Sequence, residues 1–213
     1  SAVPGDPPTP VEARLVGRGS SYVPFELSIV SLLDDPTVRG LVVSGHDISR
    51  LRAAQEALAE LAHFDALTGL PNRRAFDAAL EDQWTLTSRD GIDSFVVVAD
   101  LDGFKQLNDT HGHATGDEAL RQVGHALRRT VRATDFVARL GGDEFGIILI
   151  RCGGEAAALG FAAEVRDRIA QACRPLPSIV DVSVGHASLR AAESAADALH
   201  AADLSMYDAK RLR

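Results

Sequence analysis

The sequence predicts an α+β protein. Its core is a β-α-β-β-α-β series, the ferredoxin-like order, with extra helices around it and a small antiparallel sheet and a linking helix ahead of it. Three observations predict this. Two apolar runs, Phe95-Val-Val-Val-Ala99 and Phe145-Gly-Ile-Ile-Leu-Ile150, are strand-sized and rich in β-branched residues. Gly141-Gly142 stands just before the second run, where a hairpin turn belongs. Around the runs, apolar residues recur at helical spacing, as in Leu120, Val123, Leu127 and Val131.

The elements follow in order. Residues 1–10 hold four prolines and read as an extended lead-in, with neither the basic region nor the apolar core of a secretory signal. Residues 11–17, 22–31 and 38–45 read as short strands, punctuated by Gly17-Arg-Gly19, Pro24 and Asp34-Asp35-Pro36. The Gly17-x-Gly19 pair lacks a third glycine and a βαβ setting, so it reads as a turn rather than a dinucleotide site. Ile48, Leu51, Gln55, Leu58 and Ala62 predict a helix over 49–63, started by Asp47 or Ser49. Its narrow apolar stripe suits either pairing with a copy of itself or packing on its own domain.

Residues 64–213 form the main domain. Asn72 caps a helix of about 73–87, with Phe76, Leu80 and Trp84 on one face. A strand at 94–100, a short helix at 103–109, a longer helix at 114–131 and a hairpin over 135–150 follow. A helix at 155–172, a strand at 179–187 and a helix at 195–211 complete the series. The ferredoxin-like order places helices on one side of the sheet. The expected divisions are thus 1–48, 49–63 and 64–213.

The composition narrows the function. At 46% hydrophobic and 24% charged, the chain has the make-up of a globular domain. A net charge of −8 argues against a broad nucleic-acid surface, which needs clustered Lys and Arg. Cys152 and Cys173 form no C-x-x-C, so no disulfide framework or zinc site is indicated, and a reducing cytoplasmic setting fits. The apolar runs are far shorter than the ~20 residues of a membrane span.

Chemistry is concentrated where acids meet strands. Asp100-Leu101-Asp102-Gly103-Phe104-Lys105 follows one apolar run, and Gly141-Gly142-Asp143-Glu144-Phe145 opens the other. In the ferredoxin-like order these runs lie side by side, so Asp100, Asp143 and Glu144 converge on one edge. Asp102 either joins them or faces the loop. Converging carboxylates make a cation site, and hard oxygens suit Mg²⁺ with substrate phosphates. Glycines beside the acids let backbone approach a bulky anion. Lys105 is placed to meet a phosphate. Asn108 and Asp117 suit guanine, an amide reading O6 or N3 and an acid accepting from N1 and N2. By default, Asn108 sits in a turn and Asp117 caps the next helix. His111 and His113 read as structural rather than as metal ligands.

These residues carry a family resemblance. Asp65-Ala-Leu-Thr-Gly-Leu-Pro-Asn-Arg-Arg74, the run over 100–117, Arg132-Ala-Thr-Asp-Phe-Val-Ala-Arg-Leu-Gly-Gly-Asp-Glu-Phe145, Val182-Ser-Val-Gly185 and Ala202-Asp-Leu-Ser-Met-Tyr-Asp-Ala-Lys210 closely resemble the GGDEF domain of diguanylate cyclases. Residues 11–50, ending Gly45-His-Asp-Ile-Ser49, resemble the closing strands of a PAS sensor domain.

The resemblance implies a nucleotidyl-cyclase or palm-like fold and a homodimer that joins two GTP into cyclic di-GMP and two pyrophosphates, a bacterial second-messenger reaction. It implies that Mg²⁺ (or Mn²⁺) is held by Asp100, Asp143, Glu144 and the Leu101 carbonyl. Asp143 would promote loss of the 3′-hydroxyl proton, with Glu144 a further metal or catalytic carboxylate. Lys105 would offset phosphate charge in the transition state. Phe104, Asn108, His113, Asp117, Gly141, Gly142 and Lys210 would line the nucleotide site, Lys210 on phosphate. Arg132 and Asp135 match the R-x-x-D site at which cyclic di-GMP inhibits, with Arg166 or Arg168 as a further arginine from a neighbour. The match ends at Arg213, before the family's closing Gly-Arg-Asn, whose arginine is expected to bind phosphate. The alternative function is a catalytically silent GGDEF module that binds GTP or cyclic di-GMP as a sensor; another is an interaction domain with a vestigial pocket.

Overall fold

The computed structural model describes residues 10–16, 22–52, 63–177 and 180–211. The chain divides into two compact units, Ser1–Glu60 and Leu61–Arg213.

The first unit is an antiparallel meander of β1 (Val11–Val16), β2 (Tyr22–Leu32) and β3 (Gly40–Asp47), in the order β1-β2-β3. The β2–β3 turn is held by the Asp35 carboxylate, which accepts from the Thr37 N–H at 2.7 Å and the Val38 N–H at 3.2 Å, an Asx turn. Asp47 receives the Ser49 N–H at 2.8 Å, starting a helical turn at Ser49. Arg52 on that turn pairs with Glu12 on β1. Gln55, Leu58 and Ala62 of the expected heptad helix lie outside the described residues, as does the Gly17-x-Gly19 turn.

The second unit holds α1 (Arg73–Asp90), β4 (Phe95–Asp102), α2 (Phe104–His111), α3 (His113–Thr130), β5 (Phe136–Gly141), β6 (Glu144–Leu149), α4 (Glu155–Cys173), β7 (Asp181–Ser188) and α5 (Ala195–Arg211). Its sheet runs β5-β6-β4-β7, every pair antiparallel, which is the expected ferredoxin-like order. Asn72 caps α1 by accepting the Ala75 N–H at 3.1 Å, and Gly91 closes it in the left-handed region at φ 67°.

One expectation is corrected: helices cover both faces of the sheet. Phe95, Val97, Ala99 and Leu101 of β4 point into a core with Leu120, Val123 and Leu127 of α3 and Val165 and Ile169 of α4. Val96 and Val98 point the other way, into a second core with Phe76 and Leu80 of α1 and Ala195, Ala198 and Ala202 of α5. Successive strand residues alternate faces, so an unbroken apolar run such as Phe95–Ala99 needs cover on both sides.

Two further corrections bear on the site. β4 does not stop at Asp100 but continues to Asp102. Helix α3 begins at His113, so Asp117 lies inside it rather than at its cap.

Candidate active site

Strand alternation aims the acids. Asp100 and Asp102 share the β4 face that carries Val96 and Val98, and therefore point toward α1 and α5. Glu144 opens β6 directly opposite Asp100 in the antiparallel ladder. Asp143 sits in the intervening turn, and its carbonyl accepts the Leu101 N–H at 3.3 Å, tying the turn to β4.

That turn requires glycine. Gly141 has φ 145° and Gly142 φ 53°, backbone that residues with a Cβ rarely adopt. Arg139 then fixes it. Its Nε and Nη2 donate to the Gly142 carbonyl at 3.1 and 2.7 Å, while Nη1 reaches both oxygens of Asp65 at 3.1 Å. Asp65 also receives the Thr68 N–H at 2.9 Å and the Thr68 hydroxyl at 2.6 Å. Burial pushes the Asp65 carboxyl up, but the Thr68 donors and the Arg139 guanidinium together hold it below its usual value.

A cation comes from the opposite end of the unit. Lys210 on α5 places Nζ 2.5 Å from Asp100 Oδ1 and 3.1 Å from Asp102 Oδ1. The Ser183 hydroxyl on β7 donates to Asp102 Oδ2 at 2.7 Å. Gly185 explains how α5 comes so near: a Cβ there would run into the Met206 N–H and the Ala202 carbonyl, so only glycine lets the helix lie on β7. The Lys210 ammonium is held above its ordinary pKa chiefly by its bond to Asp100.

The electrostatics are those of a crowded acidic site. Burial, then the charge of Asp100, pushes the Asp143 carboxyl up. Burial also raises Glu144, followed by the charges of Asp100, Asp203 and Asp143. Asp203 on α5 is raised by burial as well. Arg73 at the start of α1 partly offsets both Glu144 and Asp203.

The residues expected to meet the nucleotide lie at the α2–α3 junction. The buried Asn108 Oδ1 accepts no hydrogen bond among the described residues and rests against Gly116, where a Cβ would strike it. Asp117 stands one residue further along α3, and His113 is exposed at its start. Phe104 packs partly buried against the core while Lys105 is exposed and ion-pairs with no described residue. Thus Asp100, Leu101, Asp143, Glu144 and Lys210 come together, and Lys105, Asn108, His113 and Asp117 form a second group on α2 and α3.

Arg132 and Asp135 do not form a side-chain ion pair. The Asp135 carboxylate is used by backbone, accepting the Arg132 N–H at 3.0 Å and the Ile150 N–H at 3.1 Å. The two residues border a cavity of about 390 Å³ with Arg128, Phe64 and Leu70. On α4, Arg168 pairs with Glu164 at 3.3 Å, and the buried Arg166 Nε has no partner among the described residues.

Sequence reasoning missed Asp65, Arg139, Arg73, Ser183 and Asp203. All five lie inside the stretches that carry the family resemblance, and Asp203 also precedes Lys210 by seven residues, two helical turns, and so shares its face.

Among the described residues, no three His, Cys, Asp or Glu side chains close into a metal cage. Mg²⁺ does not need one, since it binds through one or two carboxylates with waters and substrate phosphates. Asp143 and Glu144 are raised first by burial and then by the charge of Asp100, so the turn gathers half-buried carboxylates close to one another.

A ferredoxin-like sheet with carboxylates gathered at a glycine turn defines a palm-like class of domain. A family model described as "Diguanylate cyclase, GGDEF domain" matches residues 62–213, and the chain belongs to that family. It is 38% identical over 152 residues to the diguanylate cyclase DgcP of Pseudomonas aeruginosa, covering 69% of this chain and 22% of that protein. It is 37% identical over 171 residues to the diguanylate cyclase TpbB of the same species, covering 76% of this chain and 38% of that protein. Its fold matches the coiled coil and GGDEF domain of DgcB from Caulobacter crescentus, solved in complex with c-di-GMP. The TM-score is 0.70 and the identity 31%, over 77% of this chain and 88% of that one. The chain therefore spans well under half the length of these two curated relatives.

Proposed function

We propose that this chain is a diguanylate cyclase, condensing two GTP into cyclic di-GMP with release of two pyrophosphates. The observation that carries the reading is the glycine turn, which sets Asp143 and Glu144 against Asp100 with Lys210 alongside. Asn108 and Asp117 hold the guanine, and His113 and Phe104 border the nucleotide. Lys105 and Lys210 offset phosphate charge as it builds. Asp143, its affinity for protons raised by burial and by Asp100, accepts the proton of the attacking 3′-hydroxyl. That oxygen bonds to the α-phosphorus of the second GTP, and pyrophosphate leaves. Asp100, Asp143, Glu144 and the Leu101 carbonyl would hold Mg²⁺ or Mn²⁺, which would supply positive charge against that of the phosphates.

One chain holds one such site, so the reaction takes two copies facing each other, and the active form is a homodimer. Residues 49–63 control that pairing and residues 1–48 are PAS-like, with 64–213 the cyclase. Arg132 and Asp135, beside the cavity at the end of α3, bind cyclic di-GMP as inhibitor. No described helix is long and apolar enough to cross a membrane, and the reading places the domain in the cytoplasm, where GTP is.

The test is incubation with GTP and Mg²⁺, with nucleotides separated by chromatography. Cyclic di-GMP that disappears in Asp143→Ala supports the cyclase. GTP bound but unconverted would support the sensor instead. Product inhibition lost in Arg132→Ala supports the inhibitory site, and inhibition unchanged would sink it.

A further inference from the structure

We propose that Lys210 and a divalent cation compete for Asp100, and that Asp102, fixed by Ser183, is where the displaced ammonium stays docked. The inference rests on the metal site proposed above and adds a positioning device to it. Asp100 and Asp102 are alternate residues of one strand and project side by side. The Lys210 ammonium lies between them, 2.5 Å from one carboxylate and 3.1 Å from the other. An ammonium is a compact point charge with rotatable donors, so it can exchange one oxygen for another without moving its helix.

The helix itself is held. Backbone of α5 lies on Gly185, and Ala202 is fully buried beneath it. The far side of Asp102 is held too, since its Oδ2 takes the Ser183 hydroxyl at 2.7 Å while Oδ1 faces Lys210. The other nearby cations are committed elsewhere. Arg73 Nε reaches both oxygens of Asp77 at 2.9 and 3.2 Å, and Arg139 is spread over Asp65 and the Gly142 carbonyl. Lys210 alone among the described residues sits on Asp100 as a cation would.

The consequence is an exchange. A divalent ion taking Asp100 breaks the shorter Lys210 contact and leaves the lysine on Asp102, one side-chain swing from the phosphates that accompany the metal. Metal and triphosphate then bind better together than either does alone, because the phosphates supply the displaced ammonium with a new partner.

Mn²⁺ binding to the whole chain without nucleotide, followed by paramagnetic resonance of the free ion, tests this. Lys210→Met should bind Mn²⁺ about tenfold more tightly, the size of one charge-assisted hydrogen bond lost by the competitor. Lys105→Met removes the same charge from a lysine that makes no ion pair with Asp100 and should change the affinity less than about twofold. In the wild type, added Mg²⁺ should speed acetylation of the Lys210 amine, read by mass spectrometry. Mn²⁺ affinity no higher in Lys210→Met than in wild type, or labelling indifferent to Mg²⁺, would overturn the exchange. Binding to Lys210→Met that is unchanged by a further Asp100→Asn would instead remove the metal site itself.

Discussion

Arg139→Ala is the perturbation that most directly tests how the glycine turn is held. The change removes two hydrogen bonds to the Gly142 carbonyl and the two-oxygen contact with Asp65. The side chains are 13% and 23% exposed, so the Asp65 carboxylate would be left largely buried without its cation. A fully buried pair broken from one side costs about 3–5 kcal/mol, and charged hydrogen bonds about 1.5–3. Thr68 still serves Asp65, and some solvent reaches it, so roughly 2–3 kcal/mol is expected. That corresponds to a melting point lower by about 5–10 °C for a domain of this size. Arg139→Lys should recover only part of this, since an ammonium cannot fork between Asp65 and the turn.

The pH dependence follows from the lowered Asp65 carboxyl. A depressed folded pKa stabilises above the ordinary carboxylate value and loses its effect as pH falls through the lowered one. The gap between wild type and variant should therefore narrow in acid. Urea titration by circular dichroism gives the stability. Cyclic di-GMP formation, measured where both proteins are folded, gives the turn's contribution, expected at about tenfold in rate. A variant within about 0.5 kcal/mol of wild type, with turnover within twofold, would refute the account of the turn.

Three further outcomes follow from the same geometry. Asp143→Asn should abolish turnover yet melt higher at neutral pH, by about 0.5 kcal/mol after solvent screening. The sign follows from a raised carboxyl: its contribution is present below the ordinary pKa and is lost as pH rises through the raised one, so melting curves of the two proteins should converge in acid. Gly185→Val should cost about 3 kcal/mol or more, because its Cβ meets α5 backbone rather than a flexible side-chain end. It should also weaken GTP binding, measured with a fluorescent analogue, by displacing Lys210. Asp117→Ala should reduce the preference for GTP over ATP about tenfold in competition binding, since a site built to pair a polar base edge loses that discrimination.

How much of this was legible depends on the distance over which each feature acts. The strands, the hairpin and α5 announce themselves locally, through the Phe95–Ala99 run, the paired glycines and the alanine-rich helix after Ser194. The ferredoxin-like order led to helices on one side of the sheet, whereas five successive buried positions, Phe95–Ala99, cannot all face one side. What periodicity could not supply was partnership. Arg139 and Asp65 are 74 residues apart, and Lys210 and Asp100 are 110 apart. Each of these residues, met alone, reads as a solvated charge on a helix, strand end or turn. Family resemblance assigned Lys210 to phosphate, but its place on Asp100 and Asp102 follows only once Gly185 lets α5 lie against β7. The acids were legible because they cluster along the chain. The cations that balance them, Arg73, Arg139 and Lys210, arrive from three separate elements, and their arrangement is a property of the tertiary fold. The chemistry proposed here belongs to that balance: a carboxylate group crowded enough to need a divalent cation, and a lysine that the fold holds in its place.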